Sequence, residues 1–429
     1  MKAPREKITE TGGRSATTRH IPPKLALAVG EPATSAPKGW QWSALTSLAR
    51  LESGHTPSRK HPEYWGGSIP WISISDARAH DGRQIEDTEE KTNELGIANS
   101  SARILPANTV CLSRTASVGY VLVMGQPMAT SQDFVNWVCS KNLDHNFLKY
   151  LLIAEDEDLL RFASGSVHQT IYFPEVKAFH ICHPPLAEQQ RIVGLLDEAF
   201  EGLATAKAKA EQNLQNARAL FESHLQSVFT QRGAGWVEKR LEEIGKTQTG
   251  STPKTSDQSN YGTYIPFVKP GDFNTDGTLD YDNDGLSKSG AEGARVVRAG
   301  SVLMVCIGAT IGKCGYCDQE VTTNQQVNAL TPNNGSSNRF IYYQMLTETF
   351  QRKVIHSSGQ ATLPIINKSK WSALTVWLPP TDVEQNKIAD EFDALLEQTQ
   401  NLARIYQQKL AALDSLKKSL LHQAFSGAL

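Results

Sequence analysis

The chain has 429 residues, a formal net charge of −2 at pH 7, 39% hydrophobic residues and 21% charged residues. At about 100–200 residues per domain, this length predicts two to four domains. The composition is typical of a globular protein rather than a disordered or fibrous one. No apolar run approaches the roughly 18 residues of a membrane span. The apolar stretch at 25–29 is too short for a secretory signal, so we expect a cytoplasmic protein.

Charge and cysteine content narrow the functional classes further. Residues 39–185 carry 12 Lys and Arg against 16 Asp and Glu, and residues 235–380 carry 14 against 13. A nucleic-acid-binding protein usually has a basic patch, so the composition alone argues against that class. The six cysteines form no disulfide framework, which agrees with a reducing compartment.

The N-terminal segment 1–38 differs from the rest of the chain in composition. It is rich in Pro, Thr, Ser and charged residues and shows no hydrophobic periodicity. Such a segment has too little apolar surface to bury. We therefore predict that 1–38 is a disordered N-terminal extension.

Short apolar runs bounded by Gly, Pro and Asn characterise the next segment, 39–185. Runs of this kind predict strands, and a helix is expected between them at 146–154. The predicted strands are at 69–74, 110–112, 120–124 and 134–138. Trp71 and Trp137 lie in these runs and are assigned to the core. Segment 39–185 is therefore predicted to be a mixed α/β domain.

A long helix is predicted after this domain, within 186–234, ending in a hinge at 231–234 where glycines flank the chain. Apolar residues follow a four-three spacing, which is the pattern of a coiled-coil seam. The seam positions are Ile192, Leu196, Ala199, Leu203, Ala206, Ala210, Asn213, Ala217 and Leu220. A helix of roughly 40 residues would be about 60 Å long.

The remainder of the chain repeats this plan. Segment 235–380 contains strand-like runs at 302–307 and 374–378, the second with Trp377 assigned to the core, and a helix-like stretch at 338–347. A second long helix is predicted within 381–429, where Thr381 and Glu384 fit a capping box. Its seam positions are Ile388, Phe392, Leu395, Thr399, Leu402, Tyr406, Lys409, Leu413, Leu416 and Leu420.

Helices this long with a heptad seam usually have a helical partner, and the other copy is the best available one. The alternative is that each helix packs only on its own domain.

The similarity between the two halves extends to individual motifs, which recur at an offset of 193–196 residues. The recurring pairs are Gly39-Trp40 with Gly235-Trp236, Thr56-Pro57 with Thr252-Pro253, Ile69-Pro70 with Ile265-Pro266, Ser131-Gln132 with Asn324-Gln325, Ser164-Gly165 with Ser358-Gly359, Pro184-Pro185 with Pro379-Pro380, and Glu188-Gln189 with Glu384-Gln385. Such a constant offset indicates a duplicated domain, and the unit is too long for a solenoid repeat.

Motifs for catalysis are suggested in places but are incomplete. The stretch 308–314 resembles a phosphate loop, yet it has three residues between its glycines instead of four and a cysteine after Lys313. A strand–turn–strand connection is the better interpretation. Cys314 and Cys317 have zinc-ligand spacing with Cys306 as a possible third ligand, but structural zinc requires four ligands. We find no catalytic constellation and expect neither a metal nor a cofactor bound by this chain.

The order of the repeated motifs resembles a known family. Each copy has a Gly-x-Thr-Pro turn, an Ile-Pro-aromatic strand leading to an Asp, a Gly-containing turn, a Ser/Asn-Gln pair, a Ser-Gly turn, and Pro-Pro followed after two or three residues by Glu-Gln at the start of a long helix. This order, doubled over residues 39–429, resembles the DNA specificity subunit of type I restriction–modification systems.

The resemblance implies a fold and a set of partners. Each copy would be a target-recognition domain followed by a spacer helix, with the two helices paired antiparallel. The domains would read two half-sites of double-stranded DNA separated by unread bases. The subunit would be non-catalytic. It would recruit two modification subunits, which methylate adenine with S-adenosylmethionine, and restriction subunits, which use ATP and magnesium.

Under this hypothesis, partners can supply phosphate contacts while the chain supplies base readout, which weakens the objection from net charge. Arg and Lys suit guanine edges, and Asn and Gln suit adenine. The candidate DNA contacts in the first copy are Ser58, Arg59, Lys60, His61, Tyr64, Trp65, Arg78, Arg114, His168 and Gln169. Those in the second copy are Lys254, Thr255, Ser256, Tyr261, Lys269, Thr310, Asn324, Gln325, Gln326 and Gln360. For any one of them, a solvated loop position or a turn cap is an equally good interpretation.

Two other functions stay open from the sequence. The chain could be a duplicated ligand-binding or scaffold protein, with sugar- or peptide-binding domains joined by a coiled coil. It could also be an enzyme such as an autonomous nuclease with an unrecognised site. Steeply salt-dependent DNA binding would separate the first alternative from the DNA-specificity hypothesis, and cleavage of DNA by the chain alone with magnesium would support the second.

Overall fold

The computed structural model describes residues 28–29, 36–165, 169–359 and 363–429. The chain divides into two compact units, of which the first contains residues up to Ala208 together with Ala411–Leu429, and the second contains Lys209–Leu410. Each unit therefore holds one copy of the duplicated domain. No helix in the described part of the chain is both long enough and apolar enough to cross a membrane.

The first unit is a mixed α/β structure. Its strands are β1 (Ala28–Val29), β2 (Gln41–Ala44), β3 (Ala49–Ser53), β4 (Trp65–Ile72), β5 (Gln84–Ile85), β6 (Lys91–Thr92), β7 (Val110–Ser113), β8 (Val121–Met124), β9 (Ala129–Thr130), β10 (Phe134–Cys139) and β11 (His180–His183). Its helices are α1 (Leu45–Leu48), α2 (Ile74–Ala79), α3 (Glu94–Ala98), α4 (His145–Glu155), α5 (Phe173–Lys177) and the long α6 (Leu186–Gln231), which continues into the second unit. Short 3₁₀ helices lie at Pro62–Tyr64 and Asp156–Phe162.

The second unit is built in the same way. Its strands are β12 (Val237–Arg240), β13 (Gly245–Thr249), β14 (Tyr261–Val268), β15 (Gly285–Leu286), β16 (Val296–Val297), β17 (Val302–Val305), β18 (Cys314–Tyr316), β19 (Val321–Thr323), β20 (Val327–Pro332) and β21 (Thr375–Leu378). Its helices are α7 (Leu241–Ile244), α8 (Lys288–Glu292), α9 (Asn338–Leu346), α10 (Glu348–Ser357), α11 (Lys368–Ser372) and the long α12 (Asp382–Ser426), with 3₁₀ helices at Gln258–Asn260 and Pro270–Asp272.

Sheet topology establishes that the duplication extends to the fold. The order β3-β10-β7-β8 in the first unit matches β13-β20-β17-β18 in the second, and β6-β4-β9 matches β15-β14-β19. The pairing directions agree as well, because β4 is antiparallel to β6 and parallel to β9, as β14 is to β15 and β19. The units differ at their sheet edges, where β5 adds to the first unit and β16 to the second.

The N-terminal segment departs from the prediction at two residues. Ala28 and Val29 form β1, which pairs in parallel with β11, and Val29 is fully buried in the core of the first unit. The expectation of disorder is therefore wrong for these two residues, because burial of Val29 and pairing with a sheet edge order them. Residues 1–27 and 30–35 lie outside the described part of the chain.

The strand predicted at 69–74 ends earlier than expected. β4 stops at Ile72, and Ser73 caps α2 in a capping box with Asp76, so Ile74 is helical. Asp76 is 6% exposed, and it also accepts a hydrogen bond from the backbone N–H of Glu89 at 3.0 Å. The repeated Asp272 is equally buried and caps the 3₁₀ helix Pro270–Asp272. The repeated Asp is thus a structural cap.

The two long helices pair within each unit. In the first unit, Ile192 and Leu196 near the start of α6 share a core with Leu421 and Ala424 near the end of α12. A salt bridge of 3.0 Å between Lys207 and Asp414 continues this contact. Because the start of one helix meets the end of the other, the helices run antiparallel in this unit.

The second unit contains the complementary halves of these helices. Leu225 and Phe229 near the end of α6 share a core with Ala389 and Phe392 near the start of α12, and the Phe229 and Phe392 rings stack at 5.7 Å. The prediction that each helix has the other copy as its partner is confirmed. The helices also pack on the domains, but the alternative that each helix packs only on its own domain is wrong.

The heptad register is correct along the helices at one of its two seam positions and fails at the other. Ala210 and Ala217, well along α6, are buried as predicted. At the other seam position, Leu220 is exposed while Phe221 packs against the core, and Leu402 of α12 is likewise exposed. A strict repeat of 3.5 residues per turn drifts relative to a helix of 3.6 residues per turn, so one edge of the predicted seam leaves the buried face after several turns.

A buried glutamine joins each long helix to its domain. Gln189 is fully buried, and its Oε1 accepts a hydrogen bond from the backbone N–H of Asp144 at 2.8 Å. Its Nε2 donates to the carbonyls of Asn142 and Pro184 at 3.1 and 2.9 Å. The hydrogen bonds of this buried glutamine thus explain why the Glu-Gln motif recurs at the start of each long helix.

The equivalent Gln385 is 3% exposed and makes the same kind of contact. It accepts from the backbone N–H of Ser337 at 2.9 Å and donates to the carbonyl of Gly335 at 3.3 Å. A second repeated contact lies nearby, because the hydroxyls of Tyr150 and Tyr343 donate to Asp197 and Asp393 of the long helices. Both contacts fix the start of a long helix on its own domain.

The tryptophan assignments were correct in two of three cases. Trp71 and Trp137 are buried, as predicted. Trp377 is only half-buried, and the guanidinium of Arg232 lies 4.2 Å from its ring centroid. Side chains alternate along β21, so the neighbours Val376 and Leu378 occupy the core face and Trp377 the opposite one.

We predict that Gln189→Ala destabilises the first unit by about 2 kcal/mol or more, because it leaves buried backbone groups without partners. The matched control is Gln190→Ala, since Gln190 is exposed on the same helical turn. The measurement is the midpoint of urea unfolding for each variant. Equal midpoints for the two variants would contradict the anchoring role of Gln189.

Candidate nucleic-acid interface

Four segments of the first unit lie side by side and form what we call the first loop cluster: the turn 54–61, the β7–β8 loop 114–120, residues 131–133, and residues 164–165 together with 169–171. The backbone N–H of Arg114 donates to the carbonyl of Asp133 at 2.8 Å, and that of Ile171 donates to the carbonyl of Arg114 at 2.8 Å. Ser164 and Thr170 form an antiparallel bridge within the fourth segment. The cluster therefore rests on the ends of sheet strands.

The second unit places the equivalent segments together in the second loop cluster: the turn 250–256, the β17–β18 loop 306–313, residues 324–326, and residues 358–359 and 363–366. Backbone N–H groups of Cys306 and Ile366 donate to the carbonyls of Gln326 and Cys306 at 2.7 and 3.0 Å. The loop 306–313 joins two antiparallel strands, which confirms the strand–turn–strand interpretation. The motifs that recur in the sequence thus converge in space.

The glycine of each Gly-x-Thr-Pro motif allows this convergence. A Cβ on Gly54 would lie 1.8 Å from the carbonyl oxygen of Ser131, and one on Gly250 would lie 2.2 Å from that of Asn324. Any other residue at these positions would displace the neighbouring segment. The glycine is required for close approach of two backbones.

The threonine of the same motif makes a repeated hydrogen bond. Thr56 Oγ1 donates to Oε1 of Gln132, and Thr252 Oγ1 donates to Oε1 of Gln325. Both glutamine side chains are exposed. This pair, which we call the Thr–Gln pair, has the same partners and the same direction in both clusters.

Arg59 is paired within the protein. Its guanidinium makes two hydrogen bonds of 2.6 Å with the carboxylate of Glu90 and lies 3.9 Å from the centroid of a Trp65 ring. The hydrogen bonds with Glu90 raise the pKa of Arg59, and those with Arg59 lower the pKa of Glu90. Nearby, His61 stacks on Tyr64 at 4.9 Å.

Lys269 in the second unit is neutralised in the same way. Its Nζ is 2.7 Å from Oδ2 of Asp284 and 5.4 Å from the Phe267 ring centroid. Tyr261 donates its hydroxyl proton to the carbonyl of Pro253 at 3.2 Å and packs edge-on against Phe267. In both units, therefore, a cation that the sequence assigned to DNA lies over an aromatic ring with a carboxylate beside it.

Arg114 is the most enclosed of the candidate cations. It donates to the carbonyl of Gln132 at 3.0 Å, lies 4.9 Å from the Phe173 ring centroid, and has a lowered pKa because burial disfavours its charge. Its equivalent in the second unit is Cys306, which makes the same two backbone hydrogen bonds with the neighbouring segments. Arg78 is exposed, and its Nε donates to the Tyr120 hydroxyl at 3.3 Å.

The remaining candidate DNA contacts differ in solvent exposure. Ser58, Lys60, Gln169, Lys254, Thr255, Ser256, Thr310 and Gln325 are exposed. Asn324 is 9% exposed and its amide donates to Gln326 at 2.9 Å, so it shapes the second loop cluster from inside. His168 and Gln360 lie outside the described residues.

The sequence interpretation missed several residues of the clusters. Gln132 and both threonines of the Thr–Gln pairs were not among the candidates, although their motifs had been recognised as repeats. Glu90 and Asp284 were missed because nothing in the sequence connects them with Arg59 and Lys269.

The cysteines of the second unit show why the zinc hypothesis is weak. Cys306, Cys314 and Cys317 are buried, and burial raises the pKa of Cys306 to about 12 and of Cys317 to about 11. Within the described ranges, no group of three or more His, Cys, Asp or Glu side chains is arranged to hold a metal ion.

Comparison with known families gives one decisive match. The model of the type I restriction modification DNA specificity domain matches residues 37–215 and again residues 234–409. The chain belongs to this family. The two matches coincide with the two copies of the duplicated domain and include parts of both long helices.

Individual relatives agree with this assignment. The chain is 29% identical over 250 residues to the type I restriction enzyme MjaIX specificity subunit of Methanocaldococcus jannaschii, a match that covers 54% of this chain and 58% of the relative. It is 30% identical over 169 residues to the HindI specificity subunit of Haemophilus influenzae, covering 38% of this chain and 36% of the relative. The matched regions thus span less than two thirds of either relative.

Solved structures show the same fold. A chain from a study of complex assembly and conformational transition of the type I R-M system superposes with a TM-score of 0.73 at 21% identity, covering 92% of this chain and all of the other. The HsdS subunit from Thermoanaerobacter tengcongensis superposes with a TM-score of 0.61 at 20% identity, covering 92% of this chain and 99% of the other. The fold of this chain is thus shared with both structures over nearly their whole length.

We predict that Gly250→Ala destabilises the second unit by about 1–3 kcal/mol, because the added methyl group would force the backbone of the second loop cluster apart. Gly271→Ala is the matched control, since a Cβ there would meet no atom within 4 Å. Its effect should stay within about 0.5 kcal/mol. Urea unfolding of the two variants measures the difference, and a neutral Gly250→Ala would show that close approach is not required.

Proposed function

We propose that this chain is the DNA-specificity subunit of a type I restriction–modification complex and that it binds a bipartite, gapped double-stranded DNA site. The observation that carries the proposal is the pair of loop clusters, one in each family domain, built from the same repeated motifs. In this proposal each cluster reads one half-site, and the cytoplasm is the place of action. The names of the relatives and the family support it.

The two loop clusters carry different side chains at equivalent positions, which favours two half-sites of different sequence. At the offset of 196, Ser58 corresponds to Lys254 and Lys60 corresponds to Ser256. Direct readout depends on the donors and acceptors that each loop presents to base edges. Loops that share a scaffold and differ in these groups should therefore prefer different bases, and the full site should be asymmetric.

The distribution of charge favours base contacts, rather than phosphate neutralisation, as the main role of this chain in DNA binding. Arg59 and Lys269 are already paired with carboxylates, so they add little net positive charge to the surface. Phosphate contacts position a protein on DNA, and base contacts give specificity. We propose that partner subunits supply most of the phosphate contacts.

Catalysis in this proposal belongs to the partners. Two modification subunits would methylate adenine with S-adenosylmethionine, and restriction subunits would use ATP and magnesium to cleave DNA. The duplication supports a ratio of one specificity subunit to two modification subunits, because each copy presents the same domain and helix start. The chain itself would contribute binding and orientation, and no chemical step.

Methylome sequencing tests the proposal. Cells that express the chain with its companion modification subunit should acquire methylated adenines in a gapped, asymmetric motif. A chain without the companion subunit is the control and should give none. If the complex assembles and is active but produces no such motif, the proposed function is wrong. In that case, a duplicated ligand-binding or scaffold protein becomes the leading alternative.

Two neighbouring cations should behave differently in DNA binding. Lys60 is exposed and makes no side-chain ion pair with a described residue, so Lys60→Ala should reduce the slope of log K against log salt by about 1. The double variant Arg59→Ala, Glu90→Ala removes an ion pair without changing the net charge, so the slope should change by much less. Both variants should alter the preferred bases of one half-site only, because the two units have separate cores. Equal changes in slope would contradict the pairing of Arg59 with Glu90.

A further inference from the structure

The Thr–Gln pair is the most similar exposed feature of the two loop clusters. The positions around it differ, as Arg114 against Cys306 shows, yet the threonine and the glutamine recur with the same hydrogen bond. Residues that read bases should differ between domains with different half-sites. A pair that stays the same should contact what every half-site has in common.

We propose that Gln132 and Gln325 are sequence-independent DNA contacts, whose side-chain amide N–H groups donate hydrogen bonds to phosphodiester oxygens of the backbone in each half-site. This inference rests on the proposed function and extends it. It gives these two residues a role in positioning the DNA, separate from the role of the loops that select bases.

The threonine determines which end of the glutamine is available. Its hydroxyl donates to the side-chain oxygen Oε1, so the two N–H donors of Nε2 face away from that bond. In neither Gln132 nor Gln325 does Nε2 have a hydrogen-bond partner among the described residues, and both side chains are exposed. An exposed pair of donors matches the negatively charged oxygens of a phosphodiester.

The same bond argues against adenine readout. A glutamine that recognises adenine uses Oε1 as acceptor for N6 and Nε2 as donor to N7. In the Thr–Gln pair, Oε1 already accepts the threonine proton and is turned toward the turn that carries the threonine. Donation through Nε2 alone carries no base preference when the acceptor is a phosphate oxygen.

The backbone around the pair is fixed before DNA binds. The carbonyl of Gln132 accepts from the Arg114 guanidinium at 3.0 Å, and His55, next to Thr56, donates its backbone N–H to the carbonyl of Thr130 at 2.9 Å. In the second unit Ser251, next to Thr252, donates to the carbonyl of Thr323 at 2.8 Å. A donor on such a scaffold loses little conformational entropy on binding.

Gln132→Glu and Gln325→Glu separate a DNA contact from a structural role. A glutamate keeps the oxygen that accepts the threonine proton, so folding should be unchanged, but it replaces the donor with a negatively charged oxygen. The complex of each full-length variant with its modification subunits is titrated with two duplexes, one carrying the methylated motif and one of unrelated sequence. Gln319→Glu is the charge-matched control, since Gln319 is exposed in the β18–β19 turn, at the end of β18 opposite the second loop cluster.

We expect each single variant to bind both duplexes about tenfold more weakly, which is the effect of about 1.4 kcal/mol. The bases preferred in the motif should stay the same, and Gln319→Glu should bind like the wild type. Gln132→Ala, which removes the donors without adding charge, should weaken both duplexes while leaving the salt dependence unchanged.

Three results would overturn the inference. Gln→Glu variants that bind like Gln319→Glu would mean that the pair only holds the turn. A relaxed base preference in one half-site would mean that the glutamine reads bases. Loss of binding accompanied by a lower unfolding midpoint in the Gln→Glu variants would assign the effect to folding. A wild-type complex without a gapped methylated motif would instead refute the proposed function, which is a separate result.

Discussion

The packing of apolar side chains where the start of one long helix meets the end of the other is the interaction on which both units depend. In the second unit Phe229 of α6 stacks on Phe392 of α12, and both contact the core of the domain through Phe340 and Tyr343. In the first unit Phe425 of α12 packs against Phe147 of the domain. Each domain core is thus completed by residues that are distant in the sequence. Folding of the domains and pairing of the helices are therefore one process.

A second constraint is the fixed geometry of the loop clusters. A glycine permits two backbones to approach, a threonine holds the facing glutamine, and a buried aspartate caps the helix that follows the aromatic strand. The glycine and the aspartate recur in both units because they build this scaffold, and the Thr–Gln pair holds its exposed amide at the same place on it. Side chains that differ between the units, such as Ser58 against Lys254 and Lys60 against Ser256, are exposed on the scaffold. One fold thus presents a different surface in each unit.

Two cations of the candidate interface are neutralised within the protein. A cation held over an aromatic ring and paired with a carboxylate has a defined orientation and little net charge, as Arg59 and Lys269 show. Non-specific affinity for DNA comes mainly from unneutralised cations. A specificity subunit with few of them would bind weakly to random DNA, and its preference for a particular site would then depend on base contacts and on its partners. The formal net charge of −2 is consistent with this arrangement.

The sequence by itself determined the duplication, the mixed α/β class, the two long helices and the family, because these depend on periodicity and on motif order, which are local or repeated. It also identified most loops of the candidate interface. Only the tertiary structure decided which loop side chains are available. Glu90 neutralises Arg59 from 31 residues away, and Gln132 meets Thr56 across 76 residues, and no local pattern encodes such pairings. Which of the two predicted seam positions stays buried after several turns also required the structure, because the difference between 3.6 and 3.5 residues per turn accumulates along the helix.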